Sequence, residues 1–229
     1  MSDLAAAQRQ FGTGPLSRVA AIVYRLTVVE LLLLAGVLPG LVPALLLARD
    51  PSNIPIYAAC AIPVGPALSA ALYAIARHRP DITDLTPAVD FRRGYRANLG
   101  GVLRIWLPLL AGLTVVAVNL AYFDAAGVPR WWAALLVLVA VAATVWGGTA
   151  LVITSLFAFR ARDVARLAAH FLTRTPGTSL GVLALGVVSA GITAYTSEAV
   201  LALAGSVLAL LLLRTSRPMI TAIEKEFTR

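Results

Sequence analysis

The chain has 229 residues, of which 59% are hydrophobic and 13% charged, with a mean hydropathy of +0.85. Soluble domains carry about 25% charged and 45–50% apolar residues, so lipid rather than water is the expected solvent. The net charge of +8 would suit nucleic acid, but the placement of the charges assigns it to membrane topology, and no nucleic-acid partner is expected. Cys60 is the single cysteine; it excludes an intrachain disulfide and a thiolate metal cluster and reads as a small buried hydrophobe.

Residues 1–15 are polar and the apolar run after them is long. Pro39-Gly40 and Pro43 stand where a small-residue cleavage motif would be, so the first span is expected to be kept. A spanning helix needs about 20 mostly apolar residues, and six segments approach that length. The first is 18–38, with Ser17 as its N-cap and Pro39-Gly40 and Pro43 expected to kink or end it. After a polar turn at 49–53 comes 54–76, with Pro63, Gly65 and Pro66 as its packing or kink positions. The third and fourth are 103–122 and 131–159. Residues 179–213 would form one overlong helix, but Tyr195-Thr196-Ser197-Glu198 divides them into 179–195 and 199–213.

Basic residues in short loops set orientation. With both termini cytoplasmic and six spans, only Arg49 and Arg130 of the 19 Lys and Arg fall outside. An undivided last block would put Arg214, Arg217, Lys225 and Arg229 outside, against the rule. Trp131, Trp132, Tyr57, Tyr122 and Tyr195 then fall near outer ends, and Tyr24, Tyr73 and Phe159 near inner ones, as expected for rings at headgroup level.

The outer connections are short, so the mass beyond the bilayer is cytoplasmic, in two segments that read as interfacial helices. In 86–99, Thr86 caps, Pro87 takes the first helical position, and Phe91, Tyr95 and Leu99 line one face while Arg92, Arg93 and Arg96 lie off it. In 160–174, Val164, Leu167, Ala168 and Phe171 share a face. Such helices either float on the headgroups or dock a partner, and Arg92, Arg93 and Arg96 are the docking candidates.

Two polar side chains inside spans are the intramembrane candidates, Glu30 and Asn119. Glu30 lies about 18 Å along the first helix at roughly 1.5 Å per residue, where a charge costs at least ~2.5 kcal/mol. It is either a proton or polar-substrate contact, or a neutral acid bonded to a Ser, Thr or Asn of a neighbouring span. Asn119 reads as interhelical glue. Gly147-Gly148-Thr149 interrupts the fourth span, and Gly36-x-x-x-Gly40 and Gly65-x-x-x-Ser69 have the spacing of closely packed helices; similar interruptions occur at transporter sites. His78 and His170 stand alone without partners at ligand spacing. No phosphate-binding Gly-Lys-Ser/Thr, Gly-x-Ser-x-Gly or His-Glu-x-x-His motif is present. The reading is of a non-enzyme with no metal and no cofactor.

At Ile62-Pro63-Val64-Gly65-Pro66-Ala67, Ala71-Leu72-Tyr73, and then Phe91, Arg93, Tyr95 and Asn98, the chain resembles the YesL-type integral membrane proteins of bacteria. A second similarity runs through 156–180, where an aromatic-Arg-Asp segment and a Pro-Gly-Thr turn precede the fifth span. The resemblance implies a small accessory membrane protein associated with carbohydrate uptake, with ATP-driven (ABC-type) permease subunits as partners. Residues 39–60 intervene here where the family's first span leads almost directly into the Gly-Pro-Ala motif.

The resulting expectation is a single all-α integral membrane domain over 1–229. It is a six-span bundle with both termini cytoplasmic, in the cytoplasmic membrane of a high-GC bacterium. Its partners would be the lipid bilayer and either a permease or a second copy of itself. The alternative is a self-contained transporter or channel with a path at Glu30 and the Pro- and Gly-broken spans.

Overall fold

The computed structural model describes residues 15–77 and 86–227. Its helices, in chain order, are α1 (Pro15–Leu46), α2 (Ile54–Cys60), α3 (Val64–Ala76), α4 (Pro87–Ala121) and α5 (Trp131–Leu156). They continue as α6 (Ala161–Arg174), α7 (Pro176–Tyr195), α8 (Glu198–Ala202), α9 (Gly205–Thr215) and α10 (Arg217–Phe227). No strand occurs among the described residues. Five stretches are long and apolar enough to cross a membrane: α1, α2 with α3, α4, α5 and α7. A sixth arises if α9 and α10, bent by 52°, count as one. The chain is an all-α bundle with the helix inventory of a multi-pass membrane protein.

Helix α3 is the centre. Ala67, Ser69, Ala70, Ala71, Leu72 and Ala74 are buried on all its sides, and α1, α4, α5 and α9 pack around it. Its small side chains are the reason: where no large side chain projects, neighbouring backbones come close. Gly36 of α1 faces Ala67, so an added Cβ would lie 3.1 Å from the Ala67 Cβ, and Gly40 lies against the Cys60 carbonyl. Gly65 meets the Trp106 ring, where a Cβ would approach to 2.6 Å, and Gly94 of α4 meets Tyr73, where it would approach to 2.7 Å.

Several boundaries differ from the sequence expectation. Helix α1 begins at Pro15, so Ser17 lies inside it rather than capping it, and it runs through Pro39 and Pro43 to Leu46 instead of ending near 38. Each proline removes one backbone donor; both lie on the exposed side of α1, and the helix continues through the two losses. The second span does break. A turn at 61–63 separates α2 from α3, and the Ala61 carbonyl is satisfied by Val64 N at 3.2 Å and by Trp106 Nε1 at 3.0 Å.

The expected interfacial helix 87–98 is not a separate element. It is the first part of α4, which continues without interruption through Pro108 to Ala121. Pro87 takes the first helical position as expected, but the Thr86 side chain makes no cap bond. Thirty-five residues at roughly 1.5 Å each give about 50 Å, well beyond a hydrocarbon core of about 30 Å. Part of α4 must therefore project from it.

Helix α5 is likewise unbroken at Gly147-Gly148-Thr149. Gly147 and Gly148 seat Leu109 and Val182, while Thr149 Oγ1 donates to the Val145 carbonyl at 2.9 Å. The helix stops at Leu156, three residues short of 159, where Phe157 turns extended. In α6 the apolar face meets protein instead of lipid. Val164, Ala168 and Phe171 are fully buried, and Trp146 Nε1 of α5 donates to the Ala165 carbonyl at 3.1 Å.

Helix α7 starts at Pro176, and the expected turn follows Tyr195, where Ser197 Oγ caps α8 by accepting from Val200 N at 3.4 Å. The leg expected over 199–213 is divided into α8 and α9 at Leu203-Ala204. Beyond it, Arg174 of α6 holds α10 in a two-bond clamp on Glu226, at 3.1 and 2.8 Å. At the opposite end of the bundle Arg49 pairs with Glu198 at 3.5 Å. Beside them hydrogen bonds from Ser52 hold the Asp50 carboxyl below the ordinary carboxylate value.

Gly40→Ala and Gly112→Ala separate helix propensity from close packing. A Cβ at Gly112 meets nothing within 4 Å, so that variant should unfold at or above the parent's temperature. Gly40→Ala should lose about 1–3 kcal/mol by overpacking, seen as a lower thermal midpoint in detergent.

Candidate functional site

Glu30 is met by the broken leg. Its Oε2 accepts from the Ser206 backbone N–H at 2.5 Å, and its Oε1 is buried without a hydrogen-bond partner. Ser206 is the second residue of α9, whose first-turn N–H groups have no acceptor within their own helix. The break at Leu203-Ala204 exposes that donor, and Gly205, lying against Leu33 and Glu30, lets the carboxyl approach it. The partner is thus a backbone donor rather than the Ser, Thr or Asn side chain expected.

Asn119 does not join Glu30. It is exposed, and its Nδ2 donates to the Val115 carbonyl one turn back at 2.7 Å, so it binds its own helix instead of a neighbour. Interhelical polar contact is made elsewhere. Asn98 Nδ2 donates to Ser69 Oγ at 3.2 Å and to the Ser155 carbonyl at 3.1 Å, and Ser155 Oγ lies 2.8 Å from Ser69 Oγ. This node ties α3, α4 and α5 at one level. Sequence reading placed Ser69 in a small-residue pattern and Asn98 in a motif, but Ser155 was missed.

Below the node α4 has two unlike faces. Pro87, Asp90, Phe91 and Gly94 are buried, Phe91 stacks on Tyr95 with centroids 6.5 Å apart, and Tyr73 lies between Gly94 and the Arg77 guanidinium, 4.6 Å from its ring centroid. Arg92, Arg93 and Arg96 are all exposed on the other face. Asp90 faces the buried Arg25 of α1 across the packed side, and Arg25 Nη1 has no hydrogen-bond partner. Neither Arg25 nor Asp90 carries a motif that would have singled it out.

Pro63, Gly65 and Pro66 set the α2–α3 break and the seat for Trp106, while Gly147 and Gly148 are helix contacts. Cys60 is a free thiol, half-buried rather than buried as expected. His170 is exposed, 3.3 Å from Arg174 Nη1; His78 lies outside the described residues. No group of three or more His, Cys, Asp or Glu able to hold a metal occurs among the described residues. No family model, curated protein or solved structure matches the chain.

Glu30→Gln keeps an oxygen for the Ser206 N–H and should leave the thermal midpoint within a few degrees of the parent. Glu30→Leu leaves that N–H without an acceptor and should cost about 1–3 kcal/mol. A Gln variant as unstable as the Leu variant would mean that the charge, not the hydrogen bond, holds α9.

Proposed function

We propose that this protein is a non-enzymatic accessory subunit in a bacterial cytoplasmic membrane. It crosses six times with both termini inside and docks a partner on Arg92, Arg93 and Arg96. The observation that carries the docking reading is the build of α4. The three arginines are exposed on a helix whose opposite face is buried in the bundle and whose far end is a membrane span. A headgroup float needs only an apolar face toward lipid, whereas here that face packs on protein and leaves a rigid cationic surface. The planar guanidinium fork pairs with carboxylates through two hydrogen bonds, which lysine cannot reproduce.

The topology rests on the basic residues, with only Arg49 and Arg130 of 19 outside, and on reading α8 with α9, after the turn at Tyr195–Glu198, as the sixth leg, in place of the bent pair α9 and α10. The exposed stacked pair Trp131–Trp132 and the exposed Tyr195 and Tyr122 fit the outer interface. The link to carbohydrate uptake and to an ABC-type permease comes from the YesL-type resemblance at Pro63–Tyr73 and Phe91–Asn98, an associational warrant.

A second reading, a self-contained transporter or channel, is favoured by one feature: the half-helix α9 begins inside the bundle against Glu30, as at transporter sites. Flux of solute or protons through the purified protein alone in liposomes supports it and counts against the accessory role.

Replacing Arg92, Arg93 and Arg96 together by lysine keeps the charge and removes the fork. The triple variant should stay folded and membrane-inserted but lose its co-purifying permease. Retained association means charge alone suffices and overturns arginine-specific docking. In a Cys60→Ser background, Thr86→Cys and Lys225→Cys should resist an impermeant thiol reagent in intact cells, while Val128→Cys should be labelled. Labelling at Lys225→Cys would reduce the count to five spans.

A further inference from the structure

The space between α1, α2, α3, α4, α5, α7, α8 and α9 is a cavity of about 540 Å³, within the roughly 300–1,000 Å³ of ligand pockets. Its walls are aliphatic, from Leu33 and Val37 through Leu109 and Leu185 to Leu212. The polar side chains that reach it are mostly engaged. Tyr57 Oη donates to the Leu47 carbonyl at 2.9 Å, Trp106 Nε1 to the Ala61 carbonyl at 3.0 Å, and Thr144 Oγ1 to the Ala140 carbonyl at 2.8 Å. Glu30 is not part of the lining. A sugar or a hydrated ion would exchange its water hydrogen bonds for aliphatic surface there, at a cost of several kcal/mol, whereas an alkyl chain would lose nothing.

The one charged lining residue is Glu198, at the end of the cavity where it pairs with Arg49. Arg49 is 61% exposed and Glu198 26%, so a cation and an anion stand side by side at the membrane surface above an apolar shaft. This matches a headgroup that carries both charges. We infer that the cavity takes one acyl chain of a zwitterionic glycerophospholipid, with the phosphate on Arg49 and the ammonium on Glu198. An anionic headgroup would satisfy Arg49 and be repelled by Glu198. The inference rests on the proposed topology, which puts Arg49 and Glu198 at the membrane surface, and is independent of the arginine docking surface.

Trp106 lines the cavity and supplies the probe. In a protein with Trp131, Trp132 and Trp146 changed to Phe, phosphatidylethanolamine brominated on its acyl chains should quench Trp106 saturably, with one lipid per protein. The same bromination on phosphatidylglycerol should require at least several-fold more lipid. Gly186→Leu fills the shaft: Gly186 is a lining residue, and a Cβ there meets only the Thr144 Cγ2 at 3.8 Å. That variant should fold normally and shift the quenching midpoint by tenfold or more. Native mass spectrometry of the otherwise unaltered protein should show a single phosphatidylethanolamine adduct that Gly186→Leu lacks. Quenching that rises without saturation, equals that by phosphatidylglycerol, or persists unchanged in folded Gly186→Leu protein overturns the assignment.

Discussion

The bundle depends on how closely α1, α4, α5 and α9 can approach α3. In lipid, association gains little from burying apolar surface, because lipid tails are as apolar as leucine, so packing and interhelical hydrogen bonds carry it. The run Ala67 to Ala74 and the glycines facing it supply the packing, since Ala67 of α3 meets Gly36 of α1 and the Tyr73 ring of α3 lies on Gly94 of α4. Ser69 supplies the hydrogen bond, through Asn98 and Ser155. Breaking the second span at 61–63 is part of the same solution. It releases the Ala61 carbonyl for Trp106 and lets that ring sit on Gly65.

Polar side chains in this chain follow two rules. Thr114, Asn119, Thr144, Thr149 and Thr154 each return a hydrogen bond to the carbonyl four residues back, which satisfies them without a neighbour. Asn98, Glu30 and Thr178 reach other helices instead. The second group marks where the bundle is pinned. Glu30 differs from the rest because its partner is a donor that exists only where the leg α8–α9 breaks. A continuous helix there would have used the Ser206 N–H internally and left the carboxyl stranded.

The helical class, the span-sized apolar runs and the turn at Tyr195 were legible in the sequence because each rests on local composition. Pro63 and Pro66 were read as kink positions within one span, whereas the structure has a break at 61–63 and Pro66 inside α3. What failed was the inference from a local breaker to a structural boundary. Pro39 and Pro43 lie within a continuous helix, on its exposed side, and Gly147-Gly148 interrupts nothing, because Leu109 and Val182 of neighbouring helices fill the space at the two glycines. The apolar line through Phe91 and Tyr95 was read rightly as a face but wrongly as a lipid face. Periodicity reports that a face is buried and is silent on what buries it. The partners of Glu30 and Asn98 are 176 and 57 residues away, a distance over which a single sequence carries no pairing signal.

The continuity of α4 has a mechanical consequence. Arg92, Arg93 and Arg96 lie at one end of this helix, the Asn98 node follows within a turn, and Trp106 and Leu109 of the cavity wall come two to three turns later. From Arg96 to Trp106 the rise is about 15 Å at roughly 1.5 Å per residue. Had 87–98 been a separate interfacial helix, as the sequence suggested, a hinge would have decoupled the arginine face from the interior. In an unbroken helix a displacement along the axis moves both together, opposed by the Asn98 bonds to Ser69 and Ser155. The arginine face and the cavity wall therefore share one rigid element with a polar pin between them.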